Sequence, residues 1–170
     1  MIDLSTATAT EALAALRAGT ISSAELLEAQ LARVEKFNPE LNAVVAMDLE
    51  RARASARAAD EALARGQLLG PLHGLPITIK DLYATEGLVT TSGYVPFKDF
   101  VPKKDAAGVA ALKKAGAIIY GKTNAPEFGA DYQTYNDVYG LCRNPWNTDH
   151  TCGGSSGGSA VSLATGMKLL

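Results

Sequence analysis

The run Gly153-Gly154-Ser155-Ser156-Gly157-Gly158-Ser159 passes directly into the apolar stretch 160–165, and that junction narrows the folds open to the chain. Glycine reaches backbone conformations closed to other residues, so glycine pairs on both sides of two serines prescribe a tight turn. The apolar stretch then prescribes a buried helix. A flexible linker is one reading, but a linker runs longer and does not feed a buried helix. A phosphate loop is a second, because amides at a helix start bind anions. The Gly-Lys-Ser/Thr ending of that signature is absent here. The third reading is catalytic: serines held by glycines in a constrained turn beside a substrate.

Residues 153–157 also match G-x-S-x-G, the nucleophile elbow of α/β-hydrolases, which demands a strand before the serine and a histidine after it. The preceding Asp149-His150-Thr151-Cys152 makes a poor strand, and no histidine follows Ser155. A Ser-His-Asp triad is therefore disfavoured, and serine chemistry needs another base. Lys80 is the candidate. It ends the β-branched run Leu75-Pro76-Ile77-Thr78-Ile79-Lys80, where partial desolvation lowers an amine's pKa toward the range of a working base. A neutral lysine can activate a serine hydroxyl. Taken alone, a lysine that reaches solvent or pairs with Asp81 is the simpler reading of that position.

The remaining sequence alternates helical and strand patterns. Helices are expected over 8–18, over a stretch that starts at the Ser22/Glu25 capping box and stops at Asn38-Pro39, and over 50–65, 105–114 and 160–165. Strands are expected over 41–47, 75–80 and 117–120, with a long loop region after Gly121. The expected class is α/β, a mixed sheet covered by helices, in one domain over residues 1–170 with no internal boundary.

Composition excludes several partners. The 16 basic residues are scattered among 18 acidic ones for a net charge of −2, which argues against nucleic acid and anionic membranes. The longest apolar stretches fall far short of the ~20 residues of a membrane helix. No export signal follows Met1, so Cys142 and Cys152 read as reduced thiols of a cytoplasmic protein. Their spacing with His73 and His150 fits no zinc pattern. Neither metal nor cofactor is expected.

Five segments in order decide between the open readings: Gly74-Leu75-Pro76-Ile77-Thr78-Ile79-Lys80-Asp81; Thr90-Thr91-Ser92-Gly93; Gly121-Lys122-Thr123-Asn124-Ala125-Pro126-Glu127-Phe128-Gly129; Arg143-Asn144-Pro145-Trp146-Asn147; and the Gly153–Ser159 run. In sequence and spacing they resemble the amidase-signature family, across nearly the whole chain. The resemblance implies an amide hydrolase with a Ser-Ser-Lys triad. Lys80 corresponds to its buried base, and Ser155 to a relay serine in a cis peptide, which the paired glycines suit. Ser156, Gly153 and Gly154 would support the turn, while Asn124 and Glu127 would line or brace the substrate region.

One departure from the family pattern is large. The family's nucleophile lies in a second glycine-serine segment that also forms the oxyanion hole, and nothing like it occurs in the eleven residues after Ser159. Loss of nucleophile and oxyanion hole removes the dominant contributions to acyl transfer, so the chain alone is expected to be inactive. A partial sequence is the expected explanation; a truncated, catalytically dead binding module is the alternative. The resemblance implies a small-molecule amide substrate and leaves room for a homodimer. The amidase-like subunits of tRNA-dependent amidotransferases resemble the same family but tend to carry an aspartate where this chain has Ala125-Pro126, which favours a stand-alone amidase.

Overall fold

The computed structural model describes Asp3 and residues 7–170; the other opening residues, part of the stretch read for an export signal, lie outside the described residues. Three helices lead the chain: α1 (Ala9–Arg17), α2 (Ser23–Leu41) and α3 (Leu49–Ala64). Strands β1 (Val44–Met47), β2 (Pro76–Lys80) and β3 (Ile118–Thr123) follow or interleave with them, and α4 (Ala107–Lys114) and α5 (Gly157–Ala164) complete the α-helices and strands among the described residues. Short 3-10 turns occupy Val95–Phe97 and Glu127–Gly129. Among the described residues, no helix is long and apolar enough to cross a membrane.

Helices α1 and α2 start by the same device. The Thr8 and Ser22 hydroxyls accept from the amides of Glu11 and Glu25, at 3.2 and 3.1 Å, and those glutamates accept from the cap amides in return. Each such cap contributes about 1 kcal/mol. Helix α2 does not stop at Asn38-Pro39 as its sequence suggests; it continues through Pro39 and ends where Asn42 takes the left-handed conformation. The reason lies in Asn38. Its side chain accepts from the amides of Ala43 and Val44 and donates to the Val44 carbonyl, so it shapes the turn after the helix instead of ending it. The expected 41–47 strand accordingly begins only at Val44.

The sheet is mixed, in the order β1-β3-β2, with β1 antiparallel and β2 parallel to the central β3. Alternation along β3 divides the core. Ile118 and Tyr120 pack with Leu27, Leu31 and Val34 of α2 and with Ala52, Ala56 and Ala59 of α3. Ile119 joins Ile77 and Ile79 of β2, Leu16 of α1 and Val109 of α4 on the opposite side. Small alanines on α3 let it lie close against α2 and the sheet. Strand β3 also runs past Gly121 to Thr123, into what reads as loop, because Gly121 sits where a Cβ would stand 2.8 Å from the Ala46 carbonyl oxygen of β1. Glycine there permits close strand contact rather than ending the strand.

Candidate active site

Strand β2 delivers Lys80 to the edge of the core, in register with Thr123 of β3. The same Thr123 receives α5: its Oγ1 shares a hydrogen bond of 2.7 Å with the Ser159 hydroxyl. Helix α5 is pressed onto the sheet one residue earlier, where a Cβ on Gly158 would stand 2.5 Å from the Asn124 nitrogen and 2.8 Å from the Ala43 carbonyl oxygen. These two contacts hold the start of α5 over the end of β2. As a result the Lys80 Nζ donates to Ser155 Oγ at 2.8 Å and to Ser156 Oγ at 2.9 Å.

Alanine in place of Gly158 tests that seating. Within a helix the change gains about 0.5–1 kcal/mol of backbone preference, but overpacking against fixed backbone atoms costs about 1–3 kcal/mol or more. The clash wins, and Gly158→Ala is expected to lower the urea midpoint of unfolding; a raised midpoint would show that α5 does not sit this tightly.

The turn itself is built by its glycines and by Thr134. Gly153 has φ +75°, and the peptide between Gly154 and Ser155 is cis. A Cβ on Gly154 would meet the backbone of Tyr132 and Gln133 at 2.8–2.9 Å. Thr134 Oγ1 donates to the Gly153 carbonyl at 2.7 Å and accepts from the Gly157 amide at 3.1 Å, bracketing the serine pair. Helix α5 begins at Gly157, three residues before the expected Ala160, so the glycines form part of its first turn.

Burial lowers the pKa of the Lys80 amine. The simpler reading of Lys80, pairing with its neighbour Asp81, is not what the chain adopts: among the described residues Lys80 makes no ion pair with Asp81. Asp81 turns inward, accepting from the hydroxyl and amide of Thr91, and lies 4.0 Å from Lys122 Nζ. Lys122 is fully buried and donates to the Tyr83 carbonyl and, at 3.1 Å, to the hydroxyls of Thr85 and Thr90. Burial raises the Asp81 pKa and pulls the Lys122 amine down to about 8, despite the attraction between them. This network fixes the segment that leaves Lys80. Sequence reasoning missed it, although a lysine inside the buried run Ile118-Ile119-Tyr120-Gly121-Lys122-Thr123 is itself a signal, since lysine is almost never buried without partners.

The other sequence-derived positions separate. Asn124 is buried and acts within the loops: its Nδ2 donates to the carbonyls of Asn42 and Gly140, and its Oδ1 accepts from Asn136 at 2.8 Å. Glu127 is exposed, on the lip of an open pocket of about 310 Å³ that Phe128, Tyr135 and Asp137 also line and that Lys80 and Ser155 do not. The turn carrying Glu127 nevertheless passes the serines, since a Cβ on Gly129 would lie 3.8 Å from Ser155 Oγ.

A mixed sheet that presents a half-buried lysine to a glycine-framed serine pair defines a class, the α/β proteins with a serine–lysine site. Known proteins place it further. The Amidase family model matches residues 25–170, and the chain belongs to that family of amidase-signature enzymes. It is 46% identical over 157 residues to a glutamyl-tRNA(Gln) amidotransferase subunit of Anaeromyxobacter sp. (strain K), covering 92% of this chain and 32% of that protein. It is 47% identical over 162 residues to the indoleacetamide hydrolase of Bradyrhizobium diazoefficiens, covering 95% of this chain and 31% of that one. Among solved structures, 6-aminohexanoate cyclic dimer hydrolase superposes with a TM-score of 0.87 at 36% identity, over 99% of this chain and 33% of the other. The chain thus spans about a third of the length of the relatives it matches.

Proposed function

We propose that Lys80 and Ser155 are the base and the proton relay of an amide-cleaving serine hydrolase whose nucleophile is supplied from outside residues 1–170, these residues forming part of one such domain. The observation that supports this is the 2.8 Å bond from Lys80 to Ser155, made by an amine that burial shifts toward its neutral form. A neutral Lys80 takes the Ser155 proton as Ser155 takes the proton of the attacking serine, which adds to the amide carbonyl. On collapse of the adduct the proton returns along the same path to the leaving amine. A hydroxyl suits the middle position because it both donates and accepts. Ser156, bonded to the same amine, steadies Lys80 between the two hydroxyls.

The substrate class proposed is a small linear carboxamide, handled by a stand-alone enzyme, in line with Ala125-Pro126. The similarity to a glutamyl-tRNA(Gln) amidotransferase component supports a second reading, in which the same site releases ammonia for a partner protein. Turnover of a free carboxamide without any partner protein separates the two.

A serine-reactive fluorophosphonate probe tests the assignment of roles. The 170-residue chain is expected to take no label, and a form extended to the length of its relatives is expected to take label at a serine beyond residue 170. Labelling of Ser155 or Ser156 in the short chain would make one of them the nucleophile and remove the relay.

A further inference from the structure

Two thiols stand beside this site without a part in the reading above. Arg143 and Thr151 form an isolated antiparallel bridge, whose register, continued by one position, sets Cys142 opposite Cys152. Opposite residues in such a pair hold their Cα atoms about 4.5–5.5 Å apart, inside the roughly 4.4–6.8 Å that a disulfide spans. The Cys152 thiol already donates to the Cys142 carbonyl at 3.2 Å, and both cysteines are free. Access divides them: Cys142 is buried and Cys152 partly open. So does acidity. A hydrogen bond from Cys142 pulls the Cys152 thiol down, whereas its bond to Cys152 and its burial push Cys142 up. An accessible thiol shifted toward thiolate beside a buried partner is the arrangement of an attacking and a resolving cysteine.

We propose that Cys142 and Cys152 form a reversible dithiol–disulfide site, oxidised by low-molecular-weight disulfides. The Cys152 thiolate attacks one sulfur of the external disulfide and expels its other half as a thiolate, leaving a mixed disulfide. Cys142, losing its proton to that thiolate, then attacks the Cys152 sulfur and expels the second half, which picks up the proton originally on Cys152. Both protein thiols are oxidised to one S–S bond, and the external disulfide is reduced to a pair of thiols. The bond would anchor the start of the serine turn: Cys152 directly precedes Gly153, and its sulfur lies 2.6 Å from where a Cβ on Gly157 would be. The proposal stands independently of the hydrolase reading.

Equilibration in glutathione buffers of graded oxidised-to-reduced ratio, followed by alkylation and trypsin digestion, reads it out. Cleavage after Lys122, Arg143 and Lys168 places the cysteines in separate peptides, 123–143 and 144–168, so a closed disulfide appears as a linked pair. The pair is expected in the native chain at a buffer at least tenfold more reducing than the chain needs in guanidinium, because the fold holds the two cysteines in contact. An equal or more oxidising requirement, or glutathione held on Cys152 with no linked pair, overturns the proposal. Cys142→Ser is expected to stop at that mixed disulfide; a linked pair of any kind in this variant would show pairing between chains and overturn it as well.

Discussion

Replacing Lys80 by alanine is expected to lower amide turnover by about 10²–10⁴-fold, the contribution of a positioned acid–base group, in a form extended to the length of the relatives. Ser155→Ala is expected to fall in the same range, because the hydroxyl left beside the lysine, that of Ser156, is not the proposed relay. The double variant should be little worse than either single one, since groups that work as one relay lose their function together. Lys80→Arg is the sharper test. Arginine keeps a cation that can bond both serine hydroxyls, but it does not deprotonate in proteins, so a base is lost while a donor is retained. It should be as slow as the alanine variant. The pH profile carries the same sign: protonated Lys80 cannot accept, so turnover rises as pH climbs through the amine's pKa, which burial has lowered from that of a free lysine. Activity of Lys80→Arg within tenfold of the unaltered protein would assign the residue to positioning and end its role as base.

Much of this site was legible because its chemistry resides in short local patterns. The Ser22/Glu25 box marks a helix start wherever it occurs, and the β-branched run 75–80 reads as a strand with a lysine at its end. The flanking glycines of Ser155 and Ser156 announce a turn. What stayed hidden depends on contacts distant in sequence. Pro39 suggests a helix end, yet Asn38 satisfies the amides of the following turn and lets the helix continue to Leu41. Gly121 suggests a loop, yet it is the position at which β1 crowds β3. The seating of α5 relies on Thr123 and Ser159, 36 residues apart, and no local pattern links them. Asp81 next to Lys80 suggests an ion pair along the chain; the fold sends the carboxylate to Thr91 and Lys122 and leaves the lysine to the serines.

Lys122→Met is expected to cost about 3 kcal/mol of stability, measured by urea unfolding of the 170-residue chain. Breaking a buried ion pair from one side costs about 3–5 kcal/mol because the other charge is left unpaired. The low end applies here, since burial already opposes the ammonium strongly enough to bring its pKa to about 8. Methionine fills a similar length, so the loss comes from the stranded Asp81 carboxylate and the lost ammonium hydrogen bonds rather than from a cavity; the Tyr83 carbonyl still accepts from Thr85, and the Thr90 hydroxyl still donates to the Leu88 carbonyl. Adding Asp81→Asn to Lys122→Met should restore about 1 kcal/mol or more, because a neutral amide still accepts from Thr91 and carries no charge to desolvate. The pH dependence gives a second check. Between about 8 and the ordinary value of 10.5 the unfolded chain holds a proton on residue 122 that the folded chain has released, so stability rises with pH across that window. Lys168, also brought to about 8 by burial, adds a rise of the same sign. The part belonging to residue 122 is therefore the difference between the two proteins: the unaltered chain should gain more stability from pH 8 to pH 10 than Lys122→Met does. Equal gains, together with a loss below 1 kcal/mol at pH 7, would show that Lys122 is not held in a dry pocket and that the segment leaving Lys80 is fixed by something else.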